Sequence, residues 1–504
     1  MLKQLQAIVG ADHVSDEPGA CDLATSDIFE WPGRKPALMV ASPRTTDETS
    51  AVLRVLRDNG IPVVARGAGL SYTGAFAMKQ ASVVVDTSRM NDINVNAEDR
   101  YATVGAGASW ASLARALKPF GMKSVQASPI SGTYSTVGGL AAQGMPAGLD
   151  GILGLTVVLS DGAVVRTGAP TRFHRYAGPD LTGLFLGDCG AFGIKTEIVI
   201  RIAPEQPTAF ASFGFDSADD LLQGLIACLS EGIVTRAFAM DRVKSRDATK
   251  VELGEVLRTS AAMIQRSGSL VQSAKDAAKL LRLAVAPTND KPWSLHLTVE
   301  SPTQFGADAQ LQRAREICGS NGIEGDDVFP RAFKAKPYSI RGFVGPSGER
   351  WAPVHGIFSL SNSRHAMAHL QNSVATQSPQ MAELDVTASW LLSSSGPYVT
   401  IEPMLYWRDR LEPIHMRYLS PRNRERFGAF AANPAARQFV RTMRERLRDI
   451  MDAHGAVHSQ LGRFYRTSNS SLDSPDALLM RLKAALDPDH RFNPGVLGIP
   501  AQLK

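Results

Sequence analysis

The sequence predicts an α+β protein with more than one domain, and three observations support this prediction. The chain has 504 residues, which is too long for a single compact hydrophobic core. Two glycine-rich loops follow short apolar runs within its first third. Beyond a boundary at Glu205-Gln206-Pro207, alternating strands are interspersed with helices of moderate length, as is typical of an α+β domain built on an antiparallel sheet.

The first glycine-rich loop follows the apolar run Pro62–Ala65. Glycine has no Cβ and permits positive φ, so such a loop can bring backbone N–H groups close to an anion, and a diphosphate is the expected guest. The loop has neither the Gly-Lys-Ser/Thr ending of a Walker A loop nor the third glycine of a Rossmann fingerprint. An ordinary turn after a strand is the alternative. The expected ligand-binding residues are Arg66, Gly67, Ala68, Gly69, Leu70, Ser71 and Gly74.

A second loop of the same character begins at Ser128. Between the two loops we expect a strand at Ser82–Asp86 and another at Ala102–Gly107. The latter leads into a helix with Trp110, Leu113, Ala114 and Leu117 on one face. An Asp161-Gly162 pair predicts a hairpin within Leu155–Arg166. The candidate binding residues of the second loop are Ser128, Pro129, Thr133, Ser135, Thr136, Gly138, Gly139 and Gly144.

The second part of the chain reads as two α+β units that share one antiparallel sheet. A helix is predicted to follow the N-cap Ser217, and a long helix spans residues 434–454 between Pro434 and the C′ glycine Gly455. A short C-terminal helix is expected to begin at Ser474-Pro475. The predicted strands are Ala211–Phe215, Ser294–Val299, His355–Leu360 and Tyr398–Trp407, with helices near Gly306–Cys318 and His365–Gln371.

Taken in order, these motifs resemble the flavoprotein superfamily of vanillyl-alcohol oxidase and para-cresol methylhydroxylase. The run Asp180–Glu197 is similar to the segment that closes the flavin domain, which is most like those of the glycolate oxidase flavin subunit and D-lactate dehydrogenases. The resemblance implies FAD, with the first loop on its pyrophosphate, the second along the flavin, and Gly193, Ile194 and Asn493 closing around it. It also implies a two-subdomain FAD-binding domain (1–205), an α+β substrate or cap domain (206–454) and a C-terminal segment (455–504) that returns to the FAD domain.

Candidate catalytic residues lie near the C-terminus and in one strand. The run Gly462–Thr467 resembles the Tyr-Arg-Thr of vanillyl-alcohol oxidase, which implies that Tyr465 and Arg466 hold an anion; a structural arginine is the alternative. His458 is a candidate general base or a structural histidine. Glu402, in mid-strand among apolar residues, is either functional or paired with an arginine.

Departures from the family restrict these predictions. The stretch Thr400–Tyr406 lacks both histidines of the metal-dependent 2-hydroxy-acid dehydrogenases, so we expect no metal, although His355, Glu402 and His458 form a conceivable ligand set. Leu140–Gly144 lacks the aspartate that vanillyl-alcohol oxidase has there, which weakens a phenol-oxidase assignment. The loops also lack the histidine and cysteine used for covalent attachment in relatives, so FAD is expected to be non-covalent, with His174, His355 and His458 as the alternative attachment points.

The predicted function is an FAD-dependent oxidase or dehydrogenase acting on CH–OH donors, or on benzylic CH. The preferred substrate is a small hydroxylated molecule with an anionic end, a 2-hydroxy acid of the lactate or glycolate type. Two alternatives remain open: a para-substituted phenol or aryl alcohol, and a flavin-binding electron-transfer subunit. The electron acceptor (oxygen, a quinone or a cytochrome) is undetermined, and a homodimer is the assembly common among the relatives.

Composition excludes several other classes of function. The net charge is +5 and the sequence pI about 9.0, with no basic tail, which argues against a nucleic-acid partner. Four widely spaced cysteines show no metal-ligand spacing and indicate reduced thiols. No apolar run approaches the roughly 20 residues needed to span a bilayer. We therefore expect a cytoplasmic protein, with peripheral membrane association as the alternative.

Overall fold

The computed structural model describes residues 1–125, 129–249, 291–338, 343–465 and 475–500. The chain divides into two compact units. The first comprises Met1–Glu205 and Ser459–Lys504, and the second Gln206–His458. The assignment of these parts to FAD and to substrate stays a prediction at this point.

The first unit contains a small sheet with strand order β1-β2-β4-β3 in the described residues. Strands β2 and β3 both run parallel to β4. A strand with parallel neighbours on both sides is buried on both faces, which explains the uninterrupted run Val83-Val84-Val85. The elements are α1 (Leu2–Val9), β1 (Val14–Ser15), α2 (Pro18–Ala24), β2 (Met39–Ala41), α3 (Thr46–Asp58), β3 (Val63–Arg66) and β4 (Val83–Asp86).

The second sheet of this unit is antiparallel, with order β5-β6-β10-β8-β9 and β7 paired with β10 among the described strands. The predicted hairpin is present, and Gly162 in its turn has φ +85°. Ala114 is exposed, unlike the other members of its predicted apolar face. The elements are β5 (Ile93–Asn96), β6 (Tyr101–Gly105), α4 (Trp110–Leu117), β7 (Met122–Ser124), α5 (Val137–Gln143), α6 (Pro146–Leu149), β8 (Ile152–Val158), β9 (Val164–Arg166), α7 (Leu181–Leu184) and β10 (Ile194–Pro204).

The second unit is built on one antiparallel sheet, with eight strands in the part of the chain that the structure describes and the order β14-β11-β13-β12-β17-β18-β15; β16 pairs with β18. Its strands are β11 (Thr208–Phe215), β12 (Arg236–Asp241), β13 (Trp293–Glu300), β14 (Ile323–Gly325), β15 (Arg350–Pro353), β16 (Gly356–Ser359), β17 (Val386–Ser394) and β18 (Tyr398–Trp407). Its helices are α8 (Ala218–Ser230), α9 (Arg242–Thr249), α10 (Gln304–Cys318), α11 (Val328–Ala335), α12 (Leu360–Thr376), α13 (Ser378–Glu383), α14 (Pro413–Arg417), α15 (Pro421–Phe427) and α16 (Pro434–Ala453). The α+β prediction is confirmed.

Strand β18 has two different faces. Ile401 and Leu405 are fully buried on one face. Because side chains alternate along a strand, Glu402, Met404 and Tyr406 share the opposite face, which is more polar.

The C-terminal part returns to the parallel sheet of the first unit. Helix α17 spans Pro475–Leu486, and its predicted N-cap, Ser474, lies outside the described residues. Phe492 then bridges Val63 of β3 in parallel, and the N–H of Asn493 donates to the Val63 carbonyl at 2.8 Å. No helix within the described ranges is long and apolar enough to cross a membrane.

Candidate functional site

The two glycine-rich loops of the first unit line one cleft, whose space, including its opening to solvent, is about 990 Å³. The predicted residues that line it are Arg66, Gly67, Ala68, Gly69, Leu70, Ser71, Pro129, Ser135, Thr136, Gly138, Gly139 and Gly193. Lining residues that the sequence did not single out include Phe76, Thr87, Gln143, Cys189, Lys195 and Gln460.

The loops approach each other too closely for side chains at their glycines. A Cβ on Gly67 would lie 2.5 Å from Thr136 Oγ1, and one on Gly138 would lie 2.7 Å from the Cβ of Ala106. Gly69 has φ +76°, and its Cβ would fall 2.0 Å from the guanidinium of Arg66. Glycine is therefore required here by both space and backbone conformation.

The first loop offers donors and positive charge to a ligand. Among the described residues, no acceptor pairs with the backbone N–H groups of Gly67, Gly69, Leu70 and Ser71. Close to Gly69 lies the Arg66 guanidinium, with the residue only 4% exposed and its Cζ 5.0 Å from the Phe76 ring centroid. Open N–H groups near a buried cation form a cradle for an anion, and they fit the diphosphate of FAD.

Asn493 and Arg463 support this cradle through hydrogen bonds to neighbouring chain segments. The Asn493 Nδ2 donates to the carbonyls of Ala75 and Cys189, both at 2.7 Å. Arg463 donates to Asn493 Oδ1 at 2.8 Å and to the Ala75 carbonyl at 3.1 Å. Burial lowers the pKa of Arg463 to about 10. Asn493 thus does not line the cleft; it fixes three chain segments around it.

The far wall of the cleft is built on a buried ion pair. The Asp188 carboxylate accepts from the N–H of Gly190 at 2.9 Å and pairs with Lys195. Cys189 accepts a hydrogen bond from the Gly462 N–H at 3.3 Å, and burial raises the pKa of its thiol to about 12. The thiol is therefore protonated at neutral pH.

Other predicted cofactor residues do not line the cleft, and their contact with FAD stays a prediction. The N–H of Gly74 donates to Asp27 at 2.6 Å, Thr133 is exposed, and Ile194 lies in the core at the start of β10. Gly144, with φ +71°, packs against Gly187. Ser128 lies outside the described residues.

The predicted anion-binding pair is described only in part. Tyr465 is buried at 4% exposure, and its ring meets that of Phe464 edge-on at 4.8 Å between centroids. Arg466 lies outside the described residues, so the role of the pair stays a prediction.

His458, in the second unit, has both ring nitrogens occupied by acceptors. Its Nε2 is 2.7 Å from an oxygen of Asp452, and its Nδ1 is 2.8 Å from the carbonyl of His355. Among the described residues no group of three or more His, Cys, Asp or Glu side chains could hold a metal ion, so His355, Glu402 and His458 do not form one.

Glu402 lies on the polar face of β18, opposite Leu391 of β17. Burial raises the pKa of its carboxyl to about 7, and the charge of Lys244 opposes that rise only in part. Within the described ranges, no group donates a hydrogen bond to this carboxylate, whereas Lys244 donates to Tyr406 Oη at 3.0 Å. The alternative in which Glu402 pairs with an arginine is thus not seen in these ranges.

Comparison with known proteins agrees with the cleft geometry. The FAD binding domain family matches residues 37–168. The glycolate oxidase subunit GlcD of Bacillus subtilis is 33% identical over 34% of this chain and 37% of its own length. The mitochondrial D-lactate dehydrogenase (cytochrome) of Arabidopsis thaliana is 30% identical over 41% of this chain and 38% of its own. The solved structure of p-cresol methylhydroxylase with substrate bound superimposes with a TM-score of 0.73 at 15% identity, covering 100% of this chain and 97% of that one.

The chain is a flavoprotein that carries an FAD binding domain. Its overall fold is similar to that of p-cresol methylhydroxylase, so the predicted resemblance is confirmed, as is the predicted cofactor. The chain spans less than two fifths of the length of the two curated relatives described above.

Proposed function

We propose that the protein is an FAD-dependent oxidoreductase that oxidises the CH–OH group of a small substrate with an anionic end, a 2-hydroxy acid of the lactate or glycolate type. The observation that carries this proposal is the cradle of open N–H groups near Arg66. Similarity to a glycolate oxidase subunit and a D-lactate dehydrogenase supports the substrate class. When bound, FAD supplies a two-electron acceptor for the C–H bond beside the hydroxyl.

Two residue roles follow from the chemistry of the candidates. Tyr465 and Arg466 are the pair that the sequence offers for the anionic end, since a guanidinium next to a phenol hydroxyl suits a carboxylate. Glu402 takes the hydroxyl proton, because a carboxyl with a pKa of about 7 is half ionised at neutral pH. His458 fits the role of general base less well, because both of its nitrogens already face acceptors.

We further propose that FAD is held without a covalent bond. None of the described residues that line the cleft is a histidine or a tyrosine. Cys189 does line it, but a thiol with a pKa of about 12 is a poor nucleophile at neutral pH. Acid precipitation tests this directly: the yellow colour is expected in the supernatant, and colour retained by the pellet would show a covalent bond.

A para-substituted phenol or aryl alcohol is the second candidate substrate, favoured by the Tyr465-Arg466-Thr467 run. A third possibility, an electron-transfer subunit, predicts a yellow protein that no alcohol reduces. We propose a homodimer in the cytoplasm as the working state, with oxygen, a quinone or a cytochrome as electron acceptor. Size-exclusion chromatography and reoxidation by each acceptor test these points.

The deciding experiment is anaerobic spectroscopy of the purified holoprotein. D-lactate, L-lactate, glycolate, 4-hydroxybenzyl alcohol and a 4-alkylphenol are added in turn while the visible flavin band is followed. Bleaching by a hydroxy acid supports the proposal, and the two lactate enantiomers serve as matched controls for specific binding. Bleaching only by the aromatic compounds supports the second candidate. A protein that takes up no FAD would refute both.

A further inference from the structure

A lysine lies across the polar face of β18 in the second unit. Lys244, in the first turn of α9, places its Nζ 3.0 Å from Tyr406 Oη and 3.4 Å from Met404 Sδ. Glu402, Met404 and Tyr406 lie at alternate positions on this face, and the ammonium contacts the last two. It is also 5.7 and 5.8 Å from the ring centroids of Tyr406 and Trp351, a cation–π arrangement.

This ammonium has no ion-pair partner among the described residues. The carboxylate of Asp241 accepts the backbone N–H of Lys244 at 2.8 Å rather than its Nζ. Glu402 acts on Lys244 only through the field of its charge. The positive charge of Lys244 is therefore available to pair with an anionic group of a ligand.

The hydrogen-bonding capacity of the cluster fits a carboxylate. An ammonium has three N–H donors, and Lys244 uses two of them, one on the weak sulfur acceptor of Met404. Because Tyr406 Oη accepts from Lys244, its own O–H remains a donor, and its present acceptor is only Met404 Sδ at 3.6 Å. The cluster can therefore offer one donor to each oxygen of a carboxylate.

We infer that Lys244 and Tyr406 form a binding site for a carboxylate group of the substrate. This inference rests on the proposed function and deepens it, since it makes the second unit select carboxylates over neutral alcohols. A lactate- or glycolate-type substrate has one carboxylate, so Lys244 and Tyr406 take the role that Tyr465 and Arg466 of the first unit would otherwise have. Glu402, on the same face, stands beside this site as the proton acceptor.

The test measures binding of a carboxylate that cannot be oxidised. Oxalate is titrated calorimetrically into the holoprotein, with ethylene glycol as the neutral probe. We expect Lys244→Met to weaken oxalate binding by about 10- to 100-fold and Tyr406→Phe by about 3- to 10-fold, as for charged and neutral hydrogen bonds respectively. Lys244→Arg, which keeps the charge, should recover most of the affinity. Lys291→Met, at a lysine of the same unit that is paired with Asp216, should leave binding unchanged.

Thermal unfolding and the flavin spectrum of each variant separate lost binding from lost folding. Tyr406→Phe keeps the ring stacked on Trp351 and so tests the hydroxyl in a folded protein. Absence of oxalate binding to wild type, or equal affinity in wild type and a folded Lys244→Met variant, would overturn the inference even if hydroxy acids bleach the flavin. Lys244-dependent oxalate binding without bleaching by any hydroxy acid would uphold the site and refute the proposed function instead.

Discussion

Replacing Glu402 with glutamine should lower activity and raise stability at the same time. Glutamine has nearly the shape of a protonated glutamate but can neither ionise nor accept a proton. The structure shows a carboxyl whose pKa rises from 4.5 to about 7 through burial, with the charge of Lys244 as the opposing effect. The facing residue of β17 is the apolar Leu391. An ionised carboxylate in this buried environment destabilises the folded state, so its removal should raise the free energy of unfolding.

The activity prediction follows from the fraction of ionised carboxylate. With a pKa of about 7, that fraction is roughly 90% at pH 8 and roughly 10% at pH 6. The rate of anaerobic flavin reduction should therefore fall about tenfold from pH 8 to pH 6 in the wild type. The Glu402→Gln variant should be slower by about 10²- to 10⁴-fold, the usual contribution of a general base, and should lose this limb of the pH profile. Stopped-flow spectroscopy at saturating substrate measures both.

The stability prediction has the opposite sign. A folded-state pKa raised above the unfolded value means that the folded protein binds the proton more tightly, so the free energy of unfolding falls as pH rises from 4.5 through about 7. The shift corresponds to about 3 kcal/mol at most. Glu402→Gln should thus be more stable than wild type at pH 8 by up to about 3 kcal/mol, and equally stable below pH 4.5. Urea unfolding at the two pH values measures the difference.

The exposed Glu383 of α13 provides the matched control. Glu383→Gln should change neither the rate profile nor the pH dependence of unfolding. A Glu402→Gln variant that keeps the wild-type pH profile would refute the role of Glu402 as proton acceptor. A variant that is no more stable than wild type at pH 8 would refute the burial argument itself.

Three further predictions concern the FAD cradle and the neighbouring histidine. Gly67→Val would place a Cβ 2.5 Å from Thr136 Oγ1, so the FAD-to-protein ratio after gel filtration should fall by at least about tenfold. The control Gly224→Ala, whose new Cβ would have its nearest neighbour at 3.4 Å, should retain the wild-type FAD content. A full FAD content in both variants would contradict the close approach of the two loops. Arg463→Lys cannot reproduce the forked contacts of the guanidinium, so chemical denaturation should show a loss of about 2–3 kcal/mol; an unchanged midpoint would argue against its role in supporting the cradle. His458→Gln should keep the rate of flavin reduction within about threefold, whereas a loss beyond about 100-fold would show that His458, rather than Glu402, takes the proton.

Those parts of the fold that depend on local patterns could be predicted from the sequence. The apolar run before Asp86, the Asp161-Gly162 turn and the bounds of Tyr398–Trp407 are set by residues adjacent in the chain, and each occurs where it was expected. Ala114 is exposed although its spacing predicted burial. The helical period identifies which residues share a face, but how deeply each is buried depends on what packs against that face.

The contacts that complete the site depend on pairs distant in sequence. Asn493 joins Ala75 and Cys189, and no local pattern signals that one amide will serve three segments. The pairing of Lys244 with Tyr406 needs the placement of α9 over β18, and Lys244 itself occupies an unremarkable position in a polar helix. Asn493 was expected near FAD only through the resemblance, whereas Glu402 carried a signal of its own, a charge in the middle of an apolar strand.

In these proposals each unit binds a different anionic group: the first unit binds the diphosphate of FAD, and the second binds the carboxylate of the substrate. In the first unit, the cradle offers neutral backbone N–H groups to an anion. The Arg66 guanidinium adds a positive charge nearby, where it packs against Phe76 and donates a hydrogen bond to the Leu23 carbonyl. Such a cation adds attraction while the backbone donors fix position, which suits a cofactor that stays bound. In the second unit, Lys244 is itself the donor and keeps an N–H to offer, which suits a ligand that must leave after each turnover. The variants at Gly67 and Lys244 should therefore separate the two: the first should cost FAD, and the second should cost substrate affinity while FAD remains.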